Sequence, residues 1–488
     1  MKEIPRRQHS ASVSTLGTLV RDATSYLEKH QRCGKHHVEH TGSNCYLLDF
    51  YSTLGEIEKG KKLIAYLFTL VTDTKAGKVF YPGHINPMNM SQNVIDTGAC
   101  VDSISRFLRL HRSAFTNEEH EEYTARLRDV VESYLVNAAA EKSITNQRLW
   151  GLTGLASYAH YAGTHEYDDV IRASIEQAFS DMTVDGFFLY MPHAREHGNF
   201  EGYEGITTFY QSRCIAFIRY SLDATGIDAT PFEERLLKSE RALLAMYKAD
   251  GTKDLRMECK RWYWQSPYEV ASAGFDAYAL AHSKEPTATV ALHNLLFQTQ
   301  RHFFDGYLHS HIGAPVNFQC AIFWTAHLAW MVRVGDIKSK FDSASSLEDF
   351  SFRFEGTEVF TDTNSSHRVL VNARWQKRNF SEGIYDNGLE GSVRWSFRCP
   401  ALPPAFLFSI RETVNHTWYA LRGGYIREAV LRMWCFVREC IVLLLPRYSV
   451  RTGKIIALRY SEGVVEVKVI PASKYGTLLN KKEVIKRI

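Results

Sequence analysis

The chain has little of what several common enzyme classes require. Across its 488 residues there is no phosphate-cradling glycine loop and no serine in a nucleophile-elbow turn, and no module of interleaved basic and aromatic residues suited to nucleic acid. Those absences set aside P-loop phosphate chemistry, serine hydrolysis of the α/β kind and nucleic-acid partners. Charge of one sign is scarce too: 58 Lys and Arg against 54 Asp and Glu leave a net +4, which argues for neither nucleic acid nor membrane, while a local positive field in a cleft could still attract an anionic polymer. Nine cysteines, an odd number without regular spacing, describe no disulfide framework, which points to a reducing compartment. Cys33, His36, His37, His40 and Cys45 have the residue types of metal ligands but no familiar zinc spacing, so neither metal nor other cofactor is expected. The first thirty residues lack an apolar core and a cleavage site, so a cytoplasmic location is the expectation. Met433 to Leu445, MWCFVRECIVLLL, is the one membrane-like run; it carries Arg438 and Glu439, is too short to span a bilayer, and is expected to be a buried strand or helix.

What is present is ordinary globular material, 45% hydrophobic and 23% charged, long enough for one large domain plus a smaller one. From Leu16 to Val334 apolar residues recur at helical spacing. The pattern predicts helices over Leu16–Lys29, Leu54–Val71, Gln92–Leu110, Glu118–Val136, Leu149–Tyr161, Tyr167–Phe179, Ile206–Leu222, Phe232–Tyr247, Tyr268–Ala281, Thr287–Thr299 and Phe318–Val334. Asp-Gly turns at 185–186, 250–251 and 305–306 fall after alternate helices, while the other connections are short. That alternation implies helical hairpins repeated as a toroid or a solenoid, with the long loops gathered on one face.

After Val334 the texture changes. A polar linker, Gly335 to Ser346, is followed by short alternating runs at Phe352–Phe354, Glu358–Phe360, Arg368–Trp375, Ser392–Phe397, Ala405–Ile410, Ile455–Tyr460 and Val464–Ile470, expected as strands of an antiparallel β-sandwich. Leu421 to Leu445 reads equally as helix or paired strands. The expected organisation is multidomain α and β: helical hairpins over 1–334 and an antiparallel β domain over 335–488.

Aromatics make up 13% of the chain and histidines number 20, and both cluster. The densest cluster is Val184 to Phe217, VDGFFLYMPHAREHGNFEGYEGITTFYQSRCIAF. On a helix beginning early enough, Tyr203 and Tyr210 would share a face about 10 Å apart, with Arg213 one turn further on. Three other loops have similar character: Tyr81 to Asn89 with His84 and Asn89, Lys260 to Gln265 with Arg261, Trp262 and Trp264, and Asp305 to His311 with His309 and His311. Trp and Tyr suit the apolar faces of sugar rings while polar neighbours take the hydroxyls. Packing and turn formation are the competing roles for all of them, and Asn146 has the further alternative of a helix cap.

Two segments carry a family resemblance. Asn146-Gln147-Arg148-Leu149-Trp150, opening a helix, is similar to the Asn-rich helix start of the alginate lyase and heparinase II/III type polysaccharide lyases, and Tyr203 through Arg213 is similar to their segment bearing a catalytic Tyr. Order and approximate separation agree. The chain departs from them at Gln147 and Arg148, where a second Asn or a His is frequent, and at Gln211, where His often follows the Tyr. The resemblance implies an N-terminal (α/α) toroid followed by a C-terminal antiparallel β-sandwich, and β-elimination on a uronate-containing polysaccharide or oligosaccharide.

That reaction removes a weakly acidic proton beside a carboxylate, so it needs donors to hold the enolate-like charge, a base, and an acid for the leaving oxygen. The catalytic candidates are Asn146 and Arg213 for the carboxylate, Tyr210 or Tyr203 as proton carrier, and His193 or His197 as the second carrier. Arg195, Glu201, Glu204, His84, Asn89, Arg261, Trp262, Trp264, His309 and His311 are the substrate-binding candidates. Two alternatives stand beside this: a glycoside hydrolase on uronate oligosaccharides, using carboxylates among Glu201, Glu204, Asp185, Asp96 and Asp102, and a non-catalytic heparinase-like protein of surface-polysaccharide biosynthesis.

Overall fold

The computed structural model describes residues 15–31, 44–80, 90–193, 204–255, 257–259, 270–309, 318–372, 383–388, 453–461, 464–471 and 484–487, with single positions between 417 and 437. It is mostly helical, with small antiparallel sheets. The helices are α1 (Leu16–Gln31), α2 (Leu47–Leu54), α3 (Ile57–Thr69), α4 (Met90–Leu110), α5 (Asn117–Val130), α6 (Val136–Glu141), α7 (Thr145–Ala162) and α8 (Asp168–Ser180). They continue with α9 (Gln211–Thr225), α10 (Glu233–Leu244), α11 (Ala273–Ala281), α12 (Thr287–His302), α13 (Phe318–His327) and α14 (Ile337–Ser343). A π turn, Val131–Leu135, joins α5 to α6, and a 3-10 turn, Leu328–Arg333, extends α13.

Helices alternate between two surroundings. α4 packs on α7, α7 on α9, α9 on α11, α11 on the 3-10 turn after α13, that turn on α2, and α2 on α4, so the order of neighbours returns to its start. α7 is buried on every side through Ala159, as an interior helix must be, whereas α10 buries Leu236, Ala242, Leu243 and Leu244 and leaves Glu234, Lys238 and Arg241 exposed. Glycine permits the closest of these contacts: a Cβ on Gly98 would lie 2.4 Å from the Trp150 carbonyl oxygen, and one on Gly154 2.7 Å from that of Gly98.

The Asp-Gly turns behave as a repeat. Each tips a short hairpin, seen in the bridges Met182↔Phe188 and Tyr247↔Lys253 and in the pair β3 (Phe303–Phe304) and β4 (Tyr307–Leu308). Gly186, Gly251 and Gly306 have φ of 90°, 80° and 81°, the left-handed region that favours glycine. Gly186 lies against Lys238 of α10, Gly251 against Asn294 of α12, and Gly306 against Asp22 of α1. Each turn thus rests on the next outer helix, and the third reaches back to the first. A further hairpin, β1 (Val71–Thr74) with β2 (Gly77–Phe80), does the same, with Gly77 against Ser133 in the π turn.

Some expected boundaries change. α9 starts at Gln211, not Ile206: Ile206 bridges Leu189 in extended pairing, so Tyr203 and Tyr210 do not share a helix face. Part of the expected linker is α14, tied to the helical body through Gln300 to the Phe341 carbonyl and Leu16 N to Asp342.

The sheet β5 (Phe352–Glu355), β6 (Val359–Thr363), β7 (His367–Asn372), β8 (Gly383–Gly388) is a continuous antiparallel meander; β9 (Gly453–Ser461), β10 (Val464–Pro471) and β11 (Val484–Arg487) form a second. Asp185 fastens the first sheet to the helices, accepting from the backbone N–H groups of Thr357, Glu358 and Val359 at 2.5, 2.7 and 2.9 Å. Arg368 does so from the other side, donating to the carbonyls of Ala245 and Tyr247. Expected strands at Ser392–Phe397 and Ala405–Ile410 lie outside the described residues. Within the ambiguous 421–445 stretch the described positions are helical, and Met433 and Val437 are exposed, so these two do not belong to the buried element expected there.

Candidate functional site

α4, α9, α11 and α13 each begin at or shortly after one of the aromatic, polar loops of the sequence. Of the sequence-derived candidates, His84, Asn89, Arg195, His197, Glu201, Tyr203, Arg261, Trp262, Trp264 and His311 lie outside the described residues. Asn146, His193, Glu204, Tyr210, Arg213 and His309 lie within them.

Tyr210 is the N-cap residue of α9, half-buried, with its ring stacked on Tyr190 at 5.9 Å between centroids. The guanidinium of Arg213, one turn on, lies 4.9 Å from the Tyr210 ring centroid. It is only 1% exposed and is enclosed further by Phe209 at 4.6 Å, Phe275 at 5.0 Å, Trp150 at 5.8 Å and Phe323 at 5.9 Å. Weakly hydrated and planar, guanidinium is the cation best suited to such an aromatic enclosure. Arg213 therefore sits beneath the tyrosine rather than at the mouth.

Asn146 occupies the first turn of α7, and Trp150, one turn further on the same face, reaches Arg213. It does not cap its helix; the N-cap position is Ile144, and the Thr145 N–H donates to the Tyr190 carbonyl at 3.1 Å. Asn146 is 2% exposed, and its Oδ1 has no hydrogen-bond partner among the described residues. The next two residues are buried as well, and Arg148 donates to Asp181 at 2.7 Å. The other oxygen of Asp181 lies 3.9 Å from Nε2 of His193, whose side chain is 54% exposed. One carboxylate thus pairs with a buried arginine and lies near an accessible imidazole, beyond hydrogen-bond distance of it.

The polar residues around Tyr210 are not a cleft surface, as their composition suggested. Gln211 is fully buried, accepting from Phe188 N and donating to the carbonyls of Gly186 and Ser239, which locks the 186–188 turn to α9. Beneath Arg213 lies a buried charged pair, Lys253 with Asp276 at 2.9 Å. Burial pulls the Lys253 ammonium below its ordinary range and Arg213 adds to that, while Asp276 acts against it. Burial, then Asp276, pushes the Tyr247 phenol well up, so it stays protonated.

Other candidates are placed elsewhere. His309 is 7% exposed and stacked flat on Phe304, centroid to centroid 3.5 Å, in the β3–β4 hairpin. Asp185 is committed to the sheet. Asp102 is committed to Arg333 at 2.7 Å and Ser157 at 2.6 Å, and Arg333 also grips Asp49. Asp96 is buried in α4, and Glu204 is half-buried. Tyr190, Asp181 and Glu258 were missed in the sequence. Tyr190 and Asp181 follow the outer helix α8 in the same Asp-Gly hairpin, a repeat that could have drawn attention to them.

No family model matches the chain, and no curated protein matches it. Among solved structures, a sugar epimerase from a ruminal bacterium is similar over 62% of this chain and 88% of its own, at 12% identity and a TM-score of 0.43. Among the described residues no helix is long and apolar enough to cross a membrane.

Proposed function

We propose that the chain is an enzyme built on an (α/α) toroid, with a β-sandwich completing it, that cleaves uronate-containing saccharides by β-elimination. The observation that carries the reading is a half-buried Tyr210 over the buried Arg213 guanidinium, joined through Tyr190 to the first turn of α7, whose Arg148 pairs with Asp181 near His193. The closed order of helix neighbours and the Asp-Gly turn that returns to α1 support the toroid.

In this scheme the uronate lies across the Tyr190–Tyr210 stack. Asn146 and the field of Arg213 favour the negative charge that spreads onto the carboxylate as the C5–H bond breaks. Tyr210 is the group that takes the C5 proton. The electron pair forms the C4–C5 double bond, the C4–O bond breaks, and the leaving oxygen takes a proton from His193. Glu204 and the loop residues His84, Asn89, Arg195, His197, Glu201, Tyr203, Arg261, Trp262, Trp264 and His311 extend the substrate contacts, and a cytoplasmic setting favours oligosaccharides over long polymers. Hydrolysis has less to work with, because Asp102 and Asp185 are held by structural partners.

Mass spectrometry of products separates the two chemistries. Elimination yields a new non-reducing end lighter by one water than its hydrolytic counterpart, and this is the species expected from a panel of uronate oligosaccharides; fully hydrated ends would contradict the reading.

A further inference from the structure

The segment that delivers Tyr210 to its place has no helix or long strand of its own. Residues 204–209 run between two short supports: Tyr190 N donates to the Gly205 carbonyl at 2.9 Å and Thr207 N to that of Phe188 at 3.0 Å, while Cys259 N donates to that of Ile206 at 2.9 Å. These bonds set the course of the strand as far as Thr207. The last residues before the tyrosine depend on a different group, a single carboxylate that is completely buried.

We infer that Glu258 is a positioning residue for Tyr210, its carboxylate gathering the donors of the residues that immediately precede the tyrosine. Oε2 accepts from Phe209 N at 2.9 Å, Thr207 Oγ1 at 3.3 Å and Thr208 Oγ1 at 3.4 Å. The other oxygen accepts from Cys259 Sγ at 3.4 Å. Ser272 holds the opposite side of the same peptide run, donating to the Phe209 carbonyl at 3.2 Å. Phe209 in turn lies against both Arg213 and the Tyr210 ring, 4.6 Å and 5.0 Å away. A displacement of Phe209 thus moves the cation and the phenol together.

The physical case rests on what a buried carboxylate costs. Out of water it persists only where donors and a countercharge replace its hydration, and here three donors come from consecutive residues of one segment while Lys253 supplies positive charge nearby. A purely structural anchor would as readily be a neutral Gln or a backbone carbonyl. Charge-assisted bonds are stiffer, and they converge on the residue before the proposed base, where a shift of about 1 Å costs on the order of a hundredfold in rate.

This inference rests on the elimination reading only for its catalytic consequence, so the first test is independent of substrate. The full chain is labelled with 3-fluorotyrosine, and the Tyr210 fluorine resonance is assigned by its loss in Tyr210→Phe. In Glu258→Gln, which keeps the shape and removes the charge, that resonance moves or broadens while the other tyrosine signals and cooperative melting are retained. Thr208→Val, which removes one donor, gives a smaller change of the same kind and serves if Glu258→Gln does not fold. An unchanged Tyr210 resonance in both variants overturns the inference, whatever the reaction proves to be. On any uronate the wild type cleaves, Glu258→Gln lowers kcat roughly a hundredfold with KM little altered, and Glu258→Asp recovers part of it. A rise in KM alone also overturns it. If the wild type cleaves none, the elimination reading fails and the fluorine result still decides the role of Glu258.

Discussion

At the scale of single residues, several of the described polar side chains of the 184–217 segment are internal fasteners. Gln211 holds a turn, Thr207 and Thr208 feed Glu258, and Arg213 is sealed among rings. Composition alone cannot separate such pins from a cleft wall, because both need hydrogen-bonding groups. His309 illustrates the difference most sharply. Burial drives its imidazole from 6.5 down to about 4, so it is neutral in the folded chain. The folded value lies below the unfolded one, so the unfolded chain binds the proton first. Its contribution to stability is present above pH 6.5, is lost as pH falls toward 4, and changes no further below. The thermal midpoint of the wild type should therefore fall across that interval more steeply than that of His309→Gln; parallel profiles would show that His309 is not the titrating group. The Tyr210–Arg213 pairing, by contrast, was legible, because a spacing of three on a helix is a local geometric fact.

At the scale of elements, long amphipathic helices were readable and the pieces defined by tertiary contacts were not. α12 and the β9–β10 pair sit close to where periodicity placed them. α2, with eight residues, is too short to show a period, and α14 hid in a stretch whose polar residues suggested a linker. The start of α9 was misjudged because Ile206 and Phe209 have helical spacing, but Ile206 is drawn into extended pairing with the 188–190 segment and Phe209 N is taken by Glu258. The Asp-Gly turns were visible as turns; that each rests on the next outer helix depends on partners far along the chain. Where α4 crosses α7 the fit leaves no room for a methyl group on Gly98. Gly98→Ala is expected to cost about 1–3 kcal/mol of unfolding free energy in spite of the better helix propensity of alanine, measured as a shift of the denaturant midpoint. A neutral or stabilising result would mean that the two helices separate more easily than their contact implies.

At the scale of the whole molecule, polarity changes along the contacts that join α2, α4, α7, α9, α11 and the turn after α13. Near the helix starts are Tyr210 and Arg213; deeper come Trp150, Phe275 and His327, then Trp330 among Phe217, Tyr220 and Tyr278. Furthest along is the buried network in which Arg333 joins Asp49 and Asp102, with Ser157 and Tyr220 attached. Those ionic groups are paired with one another, and the network ties together five of the surrounding elements, so that removing one partner would leave a buried charge uncompensated. The end near Tyr210 has Tyr190, His193 and Tyr210, none of them buried, and it is where the proposed function places the saccharide. The most direct measurement of that claim is ultraviolet absorbance during incubation of the protein with alginate, heparan, chondroitin, hyaluronan and bacterial capsular uronates. The conjugated double bond of an elimination product should raise the absorbance with at least one of them, and Tyr210→Phe should abolish the rise while the fold persists; no rise with any substrate, or a rise undiminished in Tyr210→Phe, would contradict the account.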